Sequence, residues 1–127
     1  MQPSRILFLD SIGGLLVGAV VLIAHGWLAS WYGFPEKIVL FTGFANLAYG
    51  TFSGSLALRS QRPVSLITLL ASANMLWTFA CVGILLRHGA EASVFGVLHV
   101  AAEGVYVGAL GLVEWRWRER IASAVAT

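Results

Sequence analysis

The sequence has very little charge. Of its 127 residues, only 11% are Asp, Glu, Lys or Arg, whereas 58% are hydrophobic, and the mean hydropathy is +0.82. Soluble domains usually carry roughly 25% charged residues, so this chain has too few to cover the surface of a water-soluble fold. The scarcity of charge predicts an integral membrane protein whose surroundings are the lipid bilayer.

Cysteine and the common catalytic motifs are also scarce. The chain has one cysteine, Cys81, which can form neither an intrachain disulfide nor a thiolate metal cluster. The sequence contains no glycine-rich phosphate loop and no Gly-x-Ser-x-Gly nucleophile. We therefore predict no metal site, and we expect Cys81 to fill space in the apolar interior.

The small excess of positive charge does not indicate a nucleic-acid partner. The net charge is +2 and the pI is about 9.1, but the basic residues lie at the ends of apolar runs and form no patch. Basic residues in that position orient a membrane protein. We predict no nucleic-acid binding.

Four apolar stretches are long enough to cross a bilayer as helices, which takes about 20 residues. The first exceeds the ~7–15 apolar residues of a signal peptide, so we interpret it as a retained helix. Short connections force neighbouring helices to run antiparallel. The sequence predicts a single membrane domain over 1–127, an all-α up-down bundle of four transmembrane helices at about 6–28, 38–58, 64–86 and 93–113.

The distribution of Lys and Arg predicts the orientation of this bundle. One side has Lys37 and Arg87, and the other has six basic residues. Those six are Arg5, Arg59, Arg62, Arg116, Arg118 and Arg120. Because the richer side faces the cytoplasm, both termini are predicted to be cytoplasmic, in a plasma (inner) membrane of bacterial type.

Aromatic residues near the ends of the apolar runs are consistent with this orientation. Trp27, Trp31 and Tyr32 follow the first run, and Trp115 and Trp117 follow the fourth. Tryptophan and tyrosine are enriched where a membrane meets water. We interpret all five as interface anchors rather than ligand contacts.

A weak internal similarity relates the two halves of the chain. Residues 22–33 resemble 85–96, and residues 50–58 resemble 104–112. A duplication would give two helical hairpins with the same orientation, related by an axis along the membrane normal. It would also predict a ligand site between the hairpins. Chance similarity between apolar helices is the alternative.

The fourth run carries a polar stripe. At 100° per residue, six positions fall on one helix face: Gly96, His99, Glu103, Tyr106, Leu110 and Glu114. An ionisable residue deep in a membrane is costly and marks a functional site by default. Glu103 is therefore the principal candidate, whereas Glu114, next to Arg116 and Arg118, is predicted to form an ion pair at the cytoplasmic interface.

Polar residues of other helices reach the same depth as Glu103. At 1.5 Å per residue, Asn46, Asn74 and Glu103 lie within about 3 Å of one level. Because lipid offers no hydrogen bonds, these residues are expected to face inward. We predict one buried cluster of Asn46, Asn74, His99 and Glu103, flanked by Tyr49, Trp77 and Tyr106. Asp10 lies deeper toward the cytoplasm and is expected to cap its helix or pair with Arg5, with a role as a proton exit as the alternative.

The cluster suggests three functions. Glu103 and His99 are spaced to meet on one helix and to exchange a proton, and the rings of Trp77 and Tyr106 could face a cation. We favour a pocket for a small apolar or cationic ligand, with Asn46, Tyr49, Asn74, Trp77 and Tyr106 as ligand-binding residues and proton-coupled transport as one use. The alternatives are an isomerase or cyclase acting on a lipid-like substrate, with Glu103 and His99 as catalytic acid and base, and a structural accessory subunit.

Two spacings bear on the enzyme alternative. The elements His99-x3-Glu103 and Asn74-x2-Trp77 are similar in residue type to those of the emopamil-binding sterol isomerases. The resemblance covers four residues and implies acid–base groups with a tryptophan that faces a carbocation. In this chain the Asn-x2-Trp element precedes the other, and the helices are fewer.

Two further patterns suggest partners. His25 and His88 occupy equivalent places in the two halves and could ligate a haem; wet polar caps are the alternative, and we predict no cofactor. Three small-residue motifs permit close backbone approach, either inside the bundle or in a homodimer. They are Gly14-x3-Gly18, Gly50-x3-Gly54 and Gly104-x3-Gly108.

Overall fold

The computed structural model describes residues 2–123, which form helices and no strand. The helices are α1 Arg5–Ile23, α2 His25–Tyr32, α3 Glu36–Ala57, α4 Val64–His88, α5 Val94–Arg116 and α6 Arg118–Ser123. Three of them, α1, α4 and α5, are long and apolar enough to cross a membrane. This supports a helical membrane protein. Helix α3 has 22 residues and is long enough, but its small and polar residues make it less apolar than these three helices.

The stretch 6–28, predicted as one helix, is interrupted at Ala24. This residue has φ −105° and ψ 18°, so α1 ends before it and the short α2 begins after it. Helix α2 ends at Gly33, whose φ of 74° is left-handed, a conformation that glycine adopts without steric cost. The break brings Tyr32 to the start of α5, where its carbonyl accepts a hydrogen bond from the N–H of Ser93 at 2.8 Å.

The long helices pair as two hairpins, α1 with α3 and α4 with α5. Small residues allow this close approach. A Cβ atom built on Gly50 would lie 2.7 Å from the backbone nitrogen of Leu15, and one on Gly108 would lie 2.8 Å from the Thr78 hydroxyl. The glycine motifs are thus used for packing within the chain. The homodimer through these faces stays a prediction.

Apolar side chains form two buried clusters. One includes Cys81, as expected from its sequence context: Val21, Leu28, Phe34, Val39, Trp77, Cys81, Ile84, Val100 and Val107. The other comprises Ile6, Leu7, Leu56, Ala57, Ile67, Leu70, Leu110 and Ile121. The outer faces are also apolar, with Phe44, Phe79 and Val105 all well exposed. An apolar exterior around inward-facing polar groups is the arrangement that a bilayer requires.

Arg62 links the end of α3 to α6, next to the second apolar cluster. Its guanidinium donates to the carbonyls of Leu56 at 2.7 Å, Ala57 at 2.9 Å and Ile121 at 3.1 Å. It therefore satisfies free carbonyls at the end of α3 and holds α6 against it. Burial lowers the pKa of Arg62 from its usual value, but arginine remains charged in proteins. Besides carrying a charge relevant to orientation, Arg62 has a structural role.

We expect Gly50→Ala to lower the free energy of unfolding by about 1–3 kcal/mol, the usual cost of overpacking. The added methyl group would meet the backbone of α1, which cannot move aside as a side chain can. The matched control is Gly83→Ala, because a Cβ there has nothing within 4 Å. Unfolding of both variants in detergent checks this, and equal stability would contradict the close packing of α1 on α3.

Candidate functional site

A cavity of about 380 Å³ lies between the two hairpins. All four long helices contribute to its wall, because the hairpins pack closely within themselves and less closely against each other. The polar and aromatic residues that line it are Asp10, Asn46, Tyr49, Asn74, Trp77, His99, Glu103 and Tyr106. Every residue predicted from the sequence to form the site is in this set. Their roles remain predictions.

The Glu103 carboxylate receives a hydrogen bond on each oxygen. The amide nitrogen of Asn46 donates to Oε1 at 2.9 Å, and the indole nitrogen of Trp77 donates to Oε2 at 3.0 Å. The Asn46 amide also donates to the carbonyl of Thr42 at 2.8 Å, which fixes its orientation. Only 8% of the Glu103 side chain is exposed. Each oxygen of this buried carboxyl group therefore has an N–H donor, which offsets part of the cost of its burial.

His99 connects Glu103 to α2. Its Nε2 atom lies 3.6 Å from Oε1 of Glu103, a charge contact rather than a hydrogen bond. Its Nδ1 atom lies 2.8 Å from the hydroxyl of Tyr32. Tyr32 was predicted to be an interface anchor, and its position relative to the membrane stays a prediction. The contact of its hydroxyl with His99 was not predicted, and it arises because the break at Ala24 redirects α2 toward α5.

Asn74 is not a partner of Glu103. Its amide nitrogen donates to Oδ2 of Asp10 at 2.7 Å and to the two carboxylate oxygens of Glu114 at 3.1 and 3.2 Å. Asp10 is 4% exposed, and Glu114 is fully buried. The polar residues thus form two clusters, one around Glu103 and one of Asp10, Asn74 and Glu114, which we call the carboxyl pair cluster.

The predicted ion pair of Glu114 and the predicted helix cap at Asp10 are therefore wrong. Within residues 2–123, Glu114 forms no ion pair, because α5 continues along α4 and its polar stripe still faces Asn74 there. Asp10 does not cap its helix, since it lies in the second turn of α1 and faces the cavity. The sequence contained a signal for both. Glu114 shares the stripe of Glu103, and Asp10 shares the face of Gly14, which packs against α3.

Two tyrosines bridge the hairpins on either side of the cavity. The hydroxyl of Tyr106 donates to the carbonyl of Leu9 at 2.9 Å, and that of Tyr49 donates to the carbonyl of Ala73 at 3.2 Å. A Cβ atom on Gly13 would lie 2.8 Å from the Tyr106 hydroxyl, so glycine makes room for this contact. Both rings remain available as cavity walls.

The cavity wall is acidic and aromatic. Asp10 and Glu103 contribute carboxyl groups, and within residues 2–123 neither lysine nor arginine lines the cavity. The ring centroids of Tyr49 and Trp77 lie 6.0 Å apart at its side. Carboxylates with aromatic faces in a site of low dielectric constant favour cations over anions.

The two histidines considered for haem have other neighbours. Nδ1 of His25 lies 2.7 Å from a carboxylate oxygen of Glu36. The ring of His88 lies edge-on to that of Phe34, with centroids 6.5 Å apart. These contacts account for both residues as polar groups at helix ends. The absence of a cofactor stays a prediction, with haem as its untested alternative.

The fold and the cavity together define a class of protein. It is a small, all-helical protein with three helices able to cross a bilayer and a carboxylate-lined cavity between two helical hairpins. Comparison with protein-family models, with curated proteins and with solved structures gives no match. The function is therefore inferred from the site alone.

We expect Trp77→Phe to lower the free energy of unfolding by about 1–3 kcal/mol, because it leaves one buried oxygen of Glu103 without its donor. The control is Trp27→Phe, at an indole that is 64% exposed, where a change within about 0.5 kcal/mol is expected. Thermal or denaturant unfolding in detergent measures both variants. Equal effects would show that the Trp77 indole N–H contributes nothing specific.

Proposed function

We propose that the chain is a four-helix membrane bundle in a plasma (inner) membrane, with α3 as the fourth span and both termini in the cytoplasm. Helix α3 has 22 residues and packs along α1, and a membrane core about 30 Å thick needs roughly 20 helical residues. Six of the eight Lys and Arg residues lie at the end of the bundle that holds the start of α1 and the end of α5. The positive-inside rule supports this orientation.

Labelling of engineered cysteines with a membrane-impermeant maleimide on intact cells tests the topology. In a Cys81→Ala background, Lys37→Cys and Glu91→Cys should react, whereas Gln61→Cys should react only after lysis. Reaction of Lys37→Cys and Gln61→Cys from the same side would contradict α3 as a span. Reaction of Gln61→Cys alone would contradict the orientation.

We further propose that the cavity binds a small organic cation with an apolar body. The observation that supports this most strongly is the Glu103 carboxylate, hydrogen-bonded by Asn46 and Trp77 on a wall to which none of the described lysines or arginines contributes. Oε1 accepts one hydrogen bond and keeps a free lone pair, whereas Oε2 also has the Cys81 thiol at 3.9 Å. The charge acts over several ångströms where the dielectric constant is low. A cation lying against the rings of Trp77 and Tyr106 would also gain cation–π attraction.

Proton-coupled transport is a use of such a site. A proton and an organic cation would compete for Glu103, because each neutralises the same carboxylate. His99, 3.6 Å away, is placed to accept or return the proton. Competition of this kind means that the cation and the proton exclude each other from Glu103, which is the property that an antiporter requires.

The probe for this proposal is benzyltrimethylammonium, with neopentylbenzene as its uncharged isostere, in a non-ionic detergent. By titration calorimetry we expect the wild-type protein to bind the cation more tightly than the isostere. Glu103→Gln should weaken cation binding at least tenfold, or about 1.4 kcal/mol. Glu91→Gln, at an exposed carboxylate outside the helices, is the control and should bind as the wild type does.

Two outcomes of the calorimetry would count against the proposal. Affinity that is the same in the wild type and in Glu103→Gln would contradict the proposal. A folded wild-type protein that binds no cation would favour the structural accessory subunit.

The contact chain Tyr32–His99–Glu103 favours one second candidate, an intramembrane isomerase or cyclase. Tyr32 holds one nitrogen of His99 at 2.8 Å, and the other nitrogen faces Glu103, so His99 and Glu103 could act as acid and base. Incubation with a lipid extract distinguishes this function. Product formed by the wild type, and lost in both His99→Gln and Glu103→Gln, would support the enzyme.

A further inference from the structure

The carboxyl pair cluster contains two buried acids that the cation proposal does not require. A single amide nitrogen, that of Asn74, donates to both of them, at 2.7 Å to Asp10 and at 3.1 and 3.2 Å to Glu114. The three residues come from α1, α4 and α5, and all are at least 96% buried. Asp10 lines the cavity, whereas Glu114 lies behind it, away from the cavity wall.

This cluster has more acceptor oxygens than hydrogens that can be donated to them. Its side chains present five oxygens, two on each acid and one on Asn74, whereas the Asn74 amide supplies two hydrogens. Within residues 2–123, the buried Oδ1 of Asn74 has no hydrogen-bond partner. The nearby hydroxyls donate elsewhere, that of Ser11 to the carbonyl of Gly50 and that of Thr78 to the carbonyl of Gly104.

The two acids also lie close together. Oδ2 of Asp10 and both carboxyl oxygens of Glu114 are within 3.2 Å of one nitrogen atom, that of the Asn74 amide. Two carboxylates cannot hydrogen-bond to each other, because neither has a hydrogen to donate, whereas a proton on one of them supplies that hydrogen. Two bare carboxylates side by side in a dry interior would also repel each other strongly.

We propose that Asp10 and Glu114 hold one proton between them, as a proton-binding site that is separate from Glu103 and open to the cavity through Asp10. In other proteins, two carboxyl groups that lie side by side share one proton, because both cannot be ionised at once. Of the other titratable groups, Tyr49 on α3 and Tyr106 on α5 face Asp10. From α6, Arg118 is directed at the ring and carbonyl of Trp115.

The shared proton does not depend on whether the cavity binds a cation. Asp10 can pass the proton to water in the cavity, and Glu114 keeps the negative charge within reach of the Asn74 amide. The bundle would then have two carboxyl sites at one cavity, Glu103 and the pair of Asp10 and Glu114, which holds one proton.

Infrared spectroscopy of the purified protein at neutral pH tests this. We expect one C=O stretching band of a protonated carboxylic acid, identified by its shift in D₂O. Either Glu114→Gln or Asp10→Asn should remove the band, because the new amide supplies the hydrogen that the proton supplied before. Glu103→Gln is the control and should leave the band unchanged.

Several results would overturn the shared proton. The first is the absence of the band in the wild type. The second is a band that survives in both Glu114→Gln and Asp10→Asn, or that is lost in only one of these two variants. The third is loss of the band in Glu103→Gln. Where a variant does not fold, carboxyl ¹³C chemical shifts of the wild-type protein decide the question. One protonated group at the Asp10–Glu114 pair supports the proposal, and none or two contradict it. Failure of cation binding would leave this band in place, so the two proposals fail separately.

Discussion

The contact of Glu103 with the opposite hairpin is the interaction on which the rest of the structure depends. A carboxylate deep in an apolar bundle costs several kcal/mol unless its oxygens are bonded. Asn46 supplies one donor from the other hairpin, and Trp77 supplies one from its own. Because Thr42 holds the Asn46 amide in place, the bond sets both the distance and the register between α3 and α5. The cavity exists because the hairpins meet through these polar side chains rather than through glycines.

The two modes of packing divide the molecule. Within each hairpin, glycines and other small residues bring backbones together, so that α1 and α3 leave little space between them. Between hairpins, the contacts are made by long side chains, including the tyrosine hydroxyls of Tyr49 and Tyr106. The carboxyl pair cluster adds a third connection, through Asn74. Because side-chain hydrogen bonds hold the two hairpins apart, space for a ligand remains between them. The carboxyl groups at this interface make that space acidic.

Much of the fold and most of the cavity wall follow from the sequence, because helical periodicity decides which residues share a face. Periodicity correctly predicts that His99, Glu103 and Tyr106 lie on one wall of the cavity. It does not predict which residues of different helices lie at the same level. Asn74 was placed level with Glu103 from helix midpoints, but the register of α4 on α5 and the reach of the side chains decide the partner, and Asn74 bonds to Asp10 and Glu114. Tyr32 could not be foreseen, since a single residue's backbone angles at Ala24 redirect it.

The most direct test of this account is the distance between the Asn46 amide and the Glu103 carboxyl group, the contact that joins the two hairpins. Solid-state NMR of the protein in lipid bilayers can measure the dipolar coupling between ¹⁵N in the Asn46 side-chain amide and ¹³C in the Glu103 carboxyl group. The hydrogen bond of 2.9 Å predicts a measurable coupling for this pair, in bilayers without any added ligand. A coupling too weak to detect in the folded protein would contradict the central role of this contact.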